Sequence, residues 1–196
     1  KMKVKIPIPI SVFICSEVAK GLHYAHTLHH EKTGEPLGLV HRDISPQNIM
    51  ISYHGDVKIV DFGIAKVTTG NSETTKVGVL KGKFGYMSPE QAQGMPIDAR
   101  TDIFALGIVL FELVTQRRLF SSDDDLKTLQ LVREAKVPKP SKYNPSVDEA
   151  LDQIIMKALS KEKAYRYDTA QDMYRDLLKF LNSQHEGFMN SDVSQF

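Results

Sequence analysis

The chain has 196 residues, of which 41% are hydrophobic and 25% charged, enough to bury one good core. A net charge of +1 gives no electrostatic case for nucleic acid or an anionic membrane. Cys15 stands alone, so an internal disulfide is excluded and a reducing, cytoplasmic setting is the simplest expectation.

The start, Lys1 to Ile10, has a basic end, but Pro7 and Pro9 interrupt its apolar run, so it lacks the core of a signal peptide. The longest apolar stretch, Ile103 to Val114, contains Glu112 and is shorter than the ~20 residues that span a bilayer. From Ser11 to about His30, the spacing of Cys15, Val18, Ala19, Leu22 and Ala25 predicts a helix. His23, His26, His29 and His30 tempt a metal reading. Without a nearby carboxylate or thiolate cluster, a solvated or capping helix face is the better one. Glu31 to Gly38, with Gly34, Pro36 and Gly38, reads as a loop leading to a short strand at Leu39-Val40.

Two short apolar runs, Ile49 to Ile51 and Val57 to Val60, flank Tyr53-His54-Gly55-Asp56, whose glycine permits a tight reversal. With a two-residue His54-Gly55 turn, Ile51 faces Lys58, Ile49 faces Val60 and Asn48 faces Asp61. A carboxamide and a carboxylate then meet at one end of the hairpin, two hard oxygen ligands suited to a magnesium ion carrying phosphates. Asp43 lies on the loop entering the same hairpin, so a second carboxylate is near.

Residues 68–76 form a polar, hydroxyl-rich stretch. Ile103 to Val114 is apolar nearly all round and predicts a helix buried on every side, over about 101–116. Asp102 stands at its start, where a carboxylate serves as an N-terminal cap. Three more helices follow over about 123–182. Asp123 to Asp125 open a stripe through Leu126, Leu129 and Val132. Ser146 with Glu149, and Thr169 with Asp172, have capping-box spacing before the next two. From Ser183 onward the pattern is lost and the chain is expected to fray.

The string His41-Arg42-Asp43-Ile44-Ser45-Pro46-Gln47-Asn48, followed by Asp61-Phe62-Gly63, resembles the H-R-D-x-x-x-x-N and D-F-G loops of protein kinases. Ser88-Pro89-Glu90 is similar to the family's A-P-E, and Asp102 to Gly107 to its D-x-W/F-S/A-x-G helix. The wording is most similar to the eukaryotic-like serine/threonine kinases of bacteria. The resemblance implies a mainly α fold, the large C-terminal lobe of a kinase, with a small antiparallel β-hairpin carrying the catalytic loop (39–50) and metal loop (61–63). An activation segment spans 61–90. The Gly-rich loop and V-A-x-K strand of the smaller N-terminal lobe do not occur in these residues, so that lobe is an implied partner.

By the same resemblance, Asp43 takes or orients the proton of a substrate hydroxyl, and Asn48 and Asp61 hold Mg2+ on the phosphates of ATP. Met50 would lie beneath the adenine, and His41 and Phe62 would pack into the spine that positions the loops. Asp102 would hold the catalytic-loop backbone near His41, and Glu90 would pair with Arg166. Arg42 would receive a phosphate carried by the activation segment, with Thr74 and Thr75 as the preferred sites. The implied reaction transfers the ATP γ-phosphate to serine or threonine hydroxyls of a protein.

Two positions depart from the family. The catalytic-loop lysine is replaced by Ser45, and the residue after Gly82, usually threonine, is Lys83. A swap would account for both, with Lys83 entering beside Asp43 as a catalytic charge; a solvated lysine is the bland alternative. The rival functions are a pseudokinase or scaffold module and a small-molecule phosphotransferase. The 196 residues alone are expected to be inactive, lacking half of the phosphate clamp.

Overall fold

The computed structural model of the chain describes residues 5–62, 84–184 and 188–196. Helix α1 (Ile8–His26) begins before Ser11, because Pro9 falls in the first turn, where a missing N–H costs no helical bond. It ends at His26 rather than His30: the Thr27 N–H donates to the His23 carbonyl at 3.1 Å. The chain then reverses, with the Leu37 N–H donating to the Leu28 carbonyl at 2.8 Å. Leu39 and Val40 form no strand, having no ladder partner among the described residues.

Strands β1 (Ile49–Ile51) and β2 (Val57–Ile59) pair antiparallel with Ile49 opposite Ile59, Met50 opposite Lys58 and Ile51 opposite Val57. This register is one residue from the expected one, because the loop holds three residues, Tyr53-His54-Gly55. The Gly55 N–H donates to the Ser52 carbonyl at 3.0 Å, and the Ser52 N–H to the Asp56 carbonyl at 2.9 Å. Gly55 closes the turn at φ +82°, the usual three-residue hairpin. It is required twice over, since the Asn190 carbonyl occupies the place of a Cβ.

Further along come α2 (Pro89–Ala92), α3 (Arg100–Thr115), α4 (Asp125–Glu134), α5 (Glu149–Ala158), α6 (Ala170–Gln184) and α7 (Asn190–Ser194). Helix α3 is the core of the lobe. Ile103, Phe104, Leu106, Ile108 and Leu110 are fully buried, each worth about 1.5–3 kcal/mol. Helices α1 and α5 both pack on α3, and α6 lies along α1. The α3–α5 approach is close: a Cβ on Gly107 would stand 3.0 Å from the Ala158 Cβ and the Leu159 Cγ.

The caps differ in part from expectation. Asp124 accepts from the Leu126 N–H at 2.9 Å, and Thr169 and Asp172 bond reciprocally at 3.2 and 2.6 Å. Asp148, not Ser146, caps α5, accepting from the Leu151 N–H at 2.9 Å. The Ser146 N–H is committed to the Asn144 Oδ1 instead. Leu126 is exposed, and Thr128 and Val132 face inward on α4. The C-terminal residues pack rather than fray. The Phe188 ring lies 5.6 Å from that of Phe13, Val193 is buried, and the Asn190 Nδ2 donates to the Asp56 Oδ1 at 3.2 Å.

Candidate active site

The loop before β1 is held from several directions. Asp102, 1% exposed, sits in the first turn of α3 but does not cap it, the N-cap position being Ala99. Its carboxylate turns to the loop: Oδ1 accepts from the Arg42 N–H at 2.8 Å and Oδ2 from the His41 N–H at 2.8 Å. The same Oδ2 lies 2.8 Å from the His26 Nε2; since a carboxylate only accepts, that nitrogen carries the proton. His26 thereby joins α1 to the loop, a link the sequence signalled only as one of four histidines. The His26 ring is committed to Asp102, and among the described residues no group of three or more His, Cys, Asp and Glu is placed to hold a metal ion.

Arg42 adopts φ +68° and Asp61 φ +58°. The left-handed region costs a non-glycine residue of order 1–3 kcal/mol, and persists only where surrounding bonds over-determine it. At Arg42 those bonds are the Asp102 carboxylate on the N–H and the Gln91 Nε2, which donates to the carbonyl at 3.0 Å. His41 is fully buried. Its Nδ1 accepts from the Asp43 N–H at 3.3 Å and its Nε2 lies 3.0 Å from the Val60 carbonyl, so a proton on Nε2 satisfies both. Its ring lies 4.6 Å from that of Phe62, tilted by 59°.

At the end of the hairpin, the Asn48 Nδ2 donates to the Asp43 carbonyl at 2.7 Å, and the Val60 N–H to the Asn48 carbonyl at 3.0 Å. Asp61 therefore stands one residue beyond the pair containing Asn48, not opposite it. The donor set is one amide and one carboxylate oxygen. That suits Mg2+, which takes one or two protein oxygens and completes its shell with phosphates and water. Met50, 56% exposed, lies on β1 outside the helical core. The Arg42 Nε and the Ser45 Oγ are buried without a hydrogen-bond partner among the described residues. Thr74, Thr75, Gly63 and Lys83 lie outside the described residues.

Below the loop, Arg166 clamps Glu90. Nη1 donates to Oε1 at 2.7 Å and Nη2 to Oε2 at 2.8 Å, while the remaining donors reach the carbonyls of Ser160, Lys161 and Arg100. Burial alone would raise the Glu90 carboxyl, but the Arg166 hydrogen bonds and charge outweigh it and hold the group below its ordinary range. At the other end of α3, Tyr86 donates to the Glu112 Oε2 at 2.7 Å and meets Arg118; burial and the Glu112 charge push its hydroxyl well above the usual tyrosine range.

A sequence model of the family described as "Protein kinase domain" matches residues 2–178. The chain belongs to the protein kinase family. It is 42% identical over 180 residues to the tyrosine-protein kinase MasK of Myxococcus xanthus, covering 92% of this chain and 27% of MasK. It is 40% identical to the serine/threonine-protein kinase PknB of Mycolicibacterium smegmatis, covering 90% of this chain and 26% of PknB. The kinase region of twitchin from C. elegans has a TM-score of 0.70 at 22% identity, over 90% of this chain and 29% of that one. The Mycobacterium tuberculosis PknI kinase domain has a TM-score of 0.64 at 23% identity, over 91% and 57%. The kinase chain thus spans about a quarter of these two curated relatives, and its mainly α fold with one two-stranded hairpin is that of the kinase large lobe. Among the described residues no helix is long and apolar enough to cross a membrane.

Proposed function

We propose that this lobe, joined to a nucleotide-clamping small lobe, transfers the γ-phosphate of ATP to serine or threonine hydroxyls of protein substrates. The observation that carries it is the Asp43 loop bonded to Asn48, with Asp61 one residue past the hairpin end. The acceptor oxygen forms a bond to the γ-phosphorus while the bond from that phosphorus to the leaving ADP oxygen breaks, and Asp43 takes the hydroxyl proton. Asn48 and Asp61 would hold Mg2+, which neutralises charge on the phosphates when bound. Met50, exposed on β1, would floor the adenine once the small lobe is in place. The Arg42 Nε, buried and without a partner among the described residues, suits a group that takes an anion, and a phosphate on Thr74 or Thr75 would supply one. Lys83 would provide the charge that Ser45 does not.

A tyrosine acceptor is a second reading, favoured by Ser45 in place of the usual lysine and by the 42% identity to MasK, a tyrosine-protein kinase. The test is labelled-ATP turnover on a generic basic protein, followed by phosphoamino-acid analysis. It compares the 196-residue chain, the full-length protein that carries it, and that protein with Lys83→Ala. Phosphoserine or phosphothreonine made only by the full-length protein, and abolished by Lys83→Ala, is the expected result. Phosphotyrosine alone would replace the acceptor, and an inactive full-length protein would leave a pseudokinase.

A further inference from the structure

Helix α2 is one turn long, and the side chain at its third position bonds in two directions. The Gln91 Oε1 accepts from the Ser88 N–H at 2.9 Å while the Ser88 Oγ accepts from the Gln91 N–H at 3.3 Å, a capping box. With Oε1 committed to a donor, the amide has only one orientation that satisfies it. The Nε2 then faces the Arg42 carbonyl, and the 3.0 Å contact is a donated hydrogen bond rather than two opposed oxygens.

The Arg42 carbonyl and the Asp43 N–H belong to one planar peptide unit. That unit leaves a left-handed residue whose own N–H is fixed by Asp102, and its Asp43 N–H meets the His41 Nδ1. Gln91 is the bond on its other face. Asp102 fixes where the Arg42 peptide begins; rotation about the Arg42 ψ, which aims Asp43, is held by His41 on the N–H side and by Gln91 on the carbonyl side.

We infer that Gln91 is a positioning residue for phosphotransfer: through the Arg42 carbonyl it holds the Arg42–Asp43 peptide, and so aims Asp43 at the substrate hydroxyl. This rests on the role proposed for Asp43. The competing assignment is a helix cap and nothing more, and one substitution separates them. Gln91→Glu keeps an acceptor for the Ser88 N–H, glutamate being a standard capping-box partner, but sets a carboxylate oxygen against the Arg42 carbonyl. Gln91→Ala removes both bonds.

Both variants are made in the full-length protein, and kcat, KM for ATP, unfolding temperature and amide hydrogen exchange at Arg42 and Asp43 are measured. Gln91→Glu keeps the capping box and is expected to unfold above Gln91→Ala, keep KM within about twofold, lose about tenfold in kcat and exchange faster at the Asp43 amide. Gln91→Ala is expected to show the same kcat loss together with a lower unfolding temperature. Wild-type kcat in Gln91→Glu overturns the inference whether or not exchange quickens, since a peptide that moves without affecting turnover is not being aimed. If the wild type itself transfers no phosphate, the Asp43 role falls and the catalytic half of the inference with it. The exchange rates then decide the tether by themselves, with unchanged exchange in Gln91→Glu overturning that too.

Discussion

Around α3, Ile103 to Leu110 are removed from water by helices on two sides. Around Asp43, β1 and β2 are half-buried at best, with Met50 and Ile51 open to solvent. The first region is stabilised by apolar area, which tolerates small errors of geometry. The second depends on a few buried or partly buried polar bonds sent from elsewhere: Asp102 from α3, with His26 of α1 behind it, and Gln91 from α2. An apolar contact resists separation but hardly resists sliding. A hydrogen bond to a backbone N–H or carbonyl fixes an angle, which is what a proton-transferring loop requires. On the role proposed for Asp43, the molecule assigns stability and aim to different residues.

Asp43→Asn tests that division most severely. The amide is nearly isosteric, so the full-length protein is expected to unfold at its wild-type temperature while activity falls by about 10²–10⁴. Parallel loss of activity and of unfolding temperature would merge the two regions into one. Arg166→Met reaches the opposite corner. It strands the 5%-exposed Glu90 carboxylate and is expected to cost about 3–5 kcal/mol in chemical denaturation, much of it recovered in Arg166→Met/Glu90→Leu. Acid separates these proteins further. The folded Glu90 carboxyl lies below its unfolded value, so its contribution is complete above about pH 4.3. It is lost as pH falls through the lowered folded value. The wild type should lose stability across that window, and the double variant should have a shallower slope there; equal slopes would remove Glu90 from acid unfolding.

The same division explains how much could be read in the sequence. The α3 run is legible because burial on all sides leaves a one-dimensional trace, an apolar stretch without a polar face. That Asn48 and Asp61 sit at one end of the hairpin was legible from order and spacing, but their register was not. Gly55 fits a two-residue or a three-residue loop equally well, and the decision rests on bonds between Ser52, Gly55 and Asp56. The Ser88-to-Gln91 spacing carries a capping signal, whereas the second bond of Gln91, to a carbonyl far back in the chain, leaves no local mark. His26 is similarly silent, since its partner is Asp102. Tethers that cross the chain are invisible to periodicity, and the Asp43 loop is held by them.

The smallest effect is expected where a polar bond is local and exposed. Asp148 accepts from the Leu151 N–H at 2.9 Å, whereas the expected cap, Ser146, has its N–H held by Asn144. Asp148→Ala should cost about 1 kcal/mol, which in a protein of this size is a fall of roughly 2–4 °C in unfolding temperature. Ser146→Ala should stay within about 0.5 kcal/mol of the wild type. The Asp148 bond, at 2.9 Å, is nearly as short as the 2.8 Å bond between Asp102 and Arg42, yet water can replace it, and no bond to the Asp43 loop depends on the angle it sets. If Asp148→Ala also lowered kcat, a cap on the rim of the bundle would be reaching Asp43 through α5 and α3. Aim would then be a property of the whole lobe rather than of its buried tethers.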